Sequence, residues 1–151
     1  MSASAMVPLM KVAKDKRYAS KILPAVAKVM ANDTHVVRMQ TAGRLFGSLK
    51  GADPSVQTLA VKALAAAYDR FPKPEKIHPA DKISMQGAAD YLVSLIGGYA
   101  AQFPGGLDAL YKVARKRYPD QVLPHSNLFK KQSPAKLSPE LQKALKAAGG
   151  H

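Results

Sequence analysis

Apolar residues recur along most of this chain at spacings of three and four, the period of an amphipathic helix. The clearest run opens at Asp53–Pro54, an N-cap acid followed by the residue best tolerated at the first helical position. Val56, Leu59, Ala60, Ala63, Leu64, Ala67 and Phe71 then hold one helical face without interruption. Upstream, Asn32 to Thr34 supply cap residues, and Ala42, Leu45, Phe46 and Leu49 fall at i, i+3, i+4 and i+7. This predicts a helix from His35 to Lys50, closed by Gly51. The segment before it predicts a helix from about Pro8 to Met30, with a break or kink at Pro24, where the ring removes a backbone donor.

Downstream, the prolines at 72, 74 and 79 predict a loop over 71–79. Helix resumes near Ala80 and runs to Gln102, with Met85, Ala88, Ala89, Leu92, Ile96 and Tyr99 as its buried stripe. Gly97–Gly98 costs about 1 kcal/mol per residue in a helix interior and points to a kink or a close helix contact. After a turn at 103–106, a short helix spans Leu107 to Arg117. Residues 118–138 lack periodicity, hold Pro119, Pro124 and Pro134, and predict an extended arm. Ser138–Pro139 starts a last helix to Ala148, which Gly149–Gly150 stops. No stretch alternates as a strand would. The expected fold is therefore all-α, a compact bundle of about four central helices with basic terminal extensions. Its segments are a basic N-terminal helix (1–31), a helical core (32–117) and a basic C-terminal arm (118–151).

An internal echo bears on this architecture. MQTAGRLFGSL at 39–49 matches MQGAADYLVSL at 85–95 in Met, Gln, Ala, Ser and Leu, at an offset of 46. RFP at 70–72 and RYP at 117–119 are offset by 47. Two readings fit. One is a duplicated helical hairpin, similar in general form to HEAT or armadillo repeats. The other is an undivided bundle in which Ala-rich helices resemble each other by composition. In both, Gly43, Gly47, Gly87 and Ala89 permit close helix approach, and the core is led by Ala42, Leu45, Phe46, Leu49, Leu59, Leu64, Phe71, Met85, Leu92 and Ile96.

Charge adds a partner to the picture. The net charge is +13, and it is segregated: +5 over 1–30, +2 over 31–104 and +6 over 105–151. Solubility alone does not require such segregation, so an anionic partner is expected. Lys11, Lys14, Lys21 and Lys28 make a basic edge with Tyr18 and Ala25 between them. Lys112, Arg115, Lys116 and Arg117 crowd one helix end, more than offsetting a helix dipole requires. Lys130–Lys131 follow Phe129, and Lys136, Lys143 and Lys146 continue into the tail.

Chemistry fails by inventory. With no cysteine, disulfides, thiolate zinc sites and a cysteine nucleophile are excluded. His35, His78, His125 and His151 form no i, i+4 pair and no HExxH, so no metal site is expected. Asp33, Asp53 and Glu140 sit at helix starts, where the dipole favours acids. Neither glycine pair has a phosphate-loop pattern, and Ser48 and Ser94 read as ordinary helix hydroxyls. No cofactor and no small-molecule substrate are expected, and the chain is not expected to be an enzyme.

The most apolar run, 91–101, is about half of the ~20 residues that a spanning helix needs, so no membrane span is expected. The first thirty residues lack an uninterrupted apolar signal core; their Ala, Ser and Lys content is weakly like that of a mitochondrial import segment. The expected function is a non-catalytic accessory subunit of a large assembly, with a mitochondrial multi-protein complex as the first choice of setting. Its core would dock on neighbouring proteins and its basic ends would lie over acidic surfaces. Two alternatives share the charge: a ribosomal or other ribonucleoprotein subunit gripping RNA backbone, and a protein bound to an acidic filament such as a microtubule.

Overall fold

The computed structural model describes residues 3–32, 36–70, 92–124, 126–129 and 137–148. The helices are α1 (Ala3–Val12), α2 (Lys16–Asn32), α3 (Val36–Ser48), α4 (Pro54–Arg70), α5 (helical over 92–100), α6 (Gly106–Arg117), α7 (Ser126–Phe129) and α8 (Pro139–Ala147). Among the described residues there is no strand, and the fold is all-α. The loop expected over 71–79, the start of the following helix, and Phe71 and Met85 lie outside the described residues. So do Gly87, Ala88 and Ala89, and with them most of the second half of the echo. The duplication therefore rests on sequence alone.

Where the N-terminal helix breaks differs from expectation. The chain passes through Pro24 inside α2 and breaks at residues 13–15. The cause is Asp15. Its carboxylate accepts a hydrogen bond from the Arg17 amide at 2.9 Å, and its carbonyl accepts from the amides of Tyr18 and Ala19 at 3.0 and 2.9 Å. That is an N-cap, and it starts a new helix. Pro24 is exposed, so water can serve the Ser20 carbonyl that loses its helical partner.

The other starts follow their caps. The Asp53 carbonyl accepts from the amides of Val56 and Gln57 at 2.9 and 3.0 Å, and Pro54 opens α4. Ser138 Oγ accepts from the Leu141 amide at 3.2 Å, with Pro139 as the first helical residue of α8. Gly105, at φ 71°, reverses the chain into α6 in a left-handed conformation that glycine adopts freely.

α4 packs against α2 and α6, α2 also meets α3, and α3 meets α1. Ala42, Leu45, Phe46, Leu49, Leu64, Leu92 and Ile96 are all buried, as their spacing predicts. Leu59 is only half-buried; it packs on the rim of the core because it falls at the edge of the α4 stripe. Small residues act as seats. A Cβ on Gly43 would lie 2.5 Å from Tyr99 Cε2, and one on Gly47 would lie 3.1 Å from Tyr99 Cε1, so the α5 ring rests on the glycine face of α3. Gln102 Nε2 donates to the Phe46 carbonyl at 2.9 Å and ties the same two elements.

The segment after Tyr118 also differs from an extended arm. It contains α7, and Leu123, Leu128, Phe129 and Leu137 are buried. Leu128 fills the space left open at Gly97, where a Cβ would come 2.5 Å from its Cγ. Phe129 meets the Tyr111 ring edge-on, with centroids 6.0 Å apart. Burying these apolar groups outweighs the absence of local periodicity. One hydrophobic cluster thus runs from Ala13 to Leu145 and draws on all three sequence segments.

A Cβ on Gly106 would overlap the Ala100 carbonyl, a backbone atom that cannot rotate aside. Gly106→Ala should therefore lower stability by about 1–3 kcal/mol although alanine is the better helix former. Gly98→Ala, with nothing within 4 Å of its Cβ, should raise stability by about 0.5–1 kcal/mol. Urea unfolding of the two variants checks both signs.

Candidate anionic-partner surface

The cations fall into two groups, and geometry separates them. On α2 the buried face is Ala19, Leu23, Val26, Ala27, Met30 and Ala31. The opposite face presents Arg17, Lys21 and Lys28 to solvent, with Lys11 exposed at the end of α1 and Lys14 in the turn between them. The expected basic edge is thus spread over two helices and their junction rather than one. Arg17 belongs to it, although the lysine spacing did not pick it out. Its Nη2 pairs with Asp15 Oδ2 at 2.9 Å, and its guanidinium lies 5.5 Å from the centre of the Tyr18 ring. The hydrogen bonds from the Arg17 side chain and amide hold the Asp15 carboxyl below its ordinary range and so favour the ionised cap.

On α6, Lys112, Arg115 and Lys116 are exposed and Arg117 is half-buried. Arg115 Nη1 donates to the Gln121 carbonyl at 2.6 Å, closing the turn that follows the helix. Arg117 Nη1 donates to the Tyr68 carbonyl at 2.8 Å, which fastens the end of α6 to the last turn of α4. Arg117 also lies over the Tyr118 ring at 5.7 Å. Two of the four expected contact residues therefore serve the fold, and Lys112 and Lys116 form the outward pair. On α8, Lys143 and Lys146 are exposed while Leu141, Ala144 and Leu145 are buried. Lys130 and Lys131 lie outside the described residues.

Among the described residues, acids offer little internal neutralisation. Among the described residues the ion pair is Arg17–Asp15. Asp108 Oδ1 is engaged by the Ser138 amide at 3.3 Å, which joins the start of α6 to the start of α8. Among the described residues no three His, Cys, Asp or Glu side chains gather as a metal site would require, and no helix is long and apolar enough to cross a membrane. A shallow cleft of about 340 Å³ on α5 is lined by Ser94, Leu95, Gly98, Tyr99 and Gln102. Among the described residues that line it there is no carboxylate, imidazole or amine beside Ser94.

The two groups of cations should respond differently to substitution. Arg117→Met should lower the unfolding free energy by about 1.5–3 kcal/mol, because a charged donor to a buried-side carbonyl is lost. The double variant Lys112→Gln/Lys116→Gln should stay within about 0.5 kcal/mol of the parent chain. Urea midpoints measured side by side make the comparison. Comparison of the chain with protein-family models, with curated proteins and with solved structures finds no match in any of the three.

Proposed function

We propose that this chain is a non-catalytic accessory subunit that docks, through its outward cations, on acidic surfaces of neighbouring proteins in a large assembly. One observation carries the reading. The apolar side chains of both chain ends pack inward in a shared core, while Lys11, Lys14, Lys21, Lys28, Lys112 and Lys116 stand on the outside. A net charge of +13 held this way attracts and orients an anionic surface. The near-neutral middle of the chain favours protein over RNA, since an RNA-binding domain generally carries its charge on the folded face as well. A mitochondrial complex is the setting proposed from the Ala-, Ser- and Lys-rich start of the chain.

Size exclusion of the protein purified from its source, with and without nuclease, tests this. The expected result is elution far above 16.2 kDa that nuclease leaves unchanged. Elution as a free monomer would contradict an assembly role. Collapse of the complex on nuclease treatment would assign a ribonucleoprotein instead.

A further inference from the structure

Beside the cations of α2 runs a second feature. Tyr18, Ile22, Ala25 and Val29 fall at i, i+4, i+7 and i+11, which places them on one stripe of the helix. Tyr18 is 48% exposed and Val29 41%; Ala25 is exposed and Ile22 half-buried. Among the described residues the exposed large apolar side chains are Val12, Tyr18, Val29 and Val122, so two of them share this stripe. A single exposed valine is ordinary, but alignment at the helical period makes a ridge. Going around α2, the order is buried core, Ile22, the apolar ridge, then Arg17, Lys21 and Lys28. The helix contains no acid, and the one acid at its start, Asp15, is already paired with Arg17.

We propose that this face of α2 is the docking site for an acidic amphipathic helix of a partner protein. The proposal rests on the accessory-subunit reading and gives that subunit a defined contact. A helix with its own apolar stripe lays that stripe along Tyr18, Ala25 and Val29, and its flanking carboxylates reach Lys21 and Lys28. Other occupants satisfy only part of the surface. A second copy packed symmetrically would set Lys21 and Lys28 near their own counterparts. RNA would use the cations and leave the valine ridge unused. An anionic membrane takes up helices with a broad face of large apolar groups, whereas here Leu23 and Met30 are turned into the core and the outer ridge is one residue wide.

The test uses the full chain and two labelled synthetic helical peptides of about 18 residues, made of leucine and glutamate in identical composition. In one the leucines share a face; in the other they are scattered. Fluorescence anisotropy at physiological salt should show the patterned peptide binding at least about tenfold more tightly than the scattered one. Tyr18→Ser/Val29→Ser, which leaves the charge unchanged, should abolish that difference. Lys21→Gln/Lys28→Gln should weaken both peptides, and Lys112→Gln/Lys116→Gln should leave both unchanged. All these side chains are exposed, and circular dichroism confirms that each variant keeps its helix content. Equal binding of the two peptides to the parent chain would overturn the proposal. So would dependence on the α6 lysines, or preferential binding to phosphatidylserine vesicles or to a single-stranded RNA. If the Tyr18/Val29 variant still enters the native assembly at parental levels, this face is refuted while the subunit reading stands. If the parent chain enters no assembly, the broader reading falls first.

Discussion

Everything else in this structure depends on the burial of α4 between α2 and α6. The inward side chains of α4 are Val56, Ala60, Ala63, Leu64, Ala67 and Tyr68. Three alanines at spacings of three and four let neighbouring backbones come close, while Leu64 and Tyr68 fill the space between them. α2 comes from the N-terminal part of the chain and α6 from the C-terminal part, so α4 is where the two halves meet. The junction is sealed by a charge. The Tyr68 carbonyl near the C-terminal end of α4 accepts the Arg117 guanidinium, and a helix C-terminus favours a cation. Burial, with Tyr118 adding to it and Arg117 opposing it, pushes the Tyr68 phenol well above its ordinary range. That shift favours the neutral phenol in the core.

This arrangement explains how a chain of +13 can fold with so little ion pairing among its described residues. Arg17 braces the Asp15 cap, while Arg115 and Arg117 serve the fold by donating to the backbone carbonyls of Gln121 and Tyr68. The described lysines are left on outer faces, where solvation is cheap and a partner can reach them. α2 shows the division most plainly: one face is core, the other a basic band beside an apolar ridge. A face of that kind joins non-specific attraction to a shape-dependent contact, which is what an accessory subunit needs in order to find one place in an assembly.

The all-α class was legible because helical spacing and caps agreed along the chain. α4 was the plainest case: Asp53–Pro54 fixed its start and every apolar residue kept the period. The break before α2 lies at Asp15 and not at Pro24, the residue that the sequence marks. A proline on an exposed face costs a helix one bond, whereas an acid able to cap the amide two residues on starts a new helix. Burial of the C-terminal segment had no local signal. Leu128 and Phe129 are placed by Gly97 and Tyr111, partners 31 and 18 residues away that no periodicity reveals. The same holds for the surface. Charge alone placed Lys21, Lys28, Lys112 and Lys116 outside, but the structural roles of Arg115 and Arg117 depend on backbone carbonyls that only folding brings near.

The central claim is that both ends of the chain belong to one core and leave the cations as surplus on its surface. Phe129 tests it most directly, since it lies fully buried in a segment that the sequence reads as an arm. Phe129→Ala in the full chain, followed by urea unfolding, should cost about 3–5 kcal/mol in a single cooperative transition. A loss below about 0.5 kcal/mol, the range of a surface substitution, would mean that the segment is a free arm and that the core does not reach it.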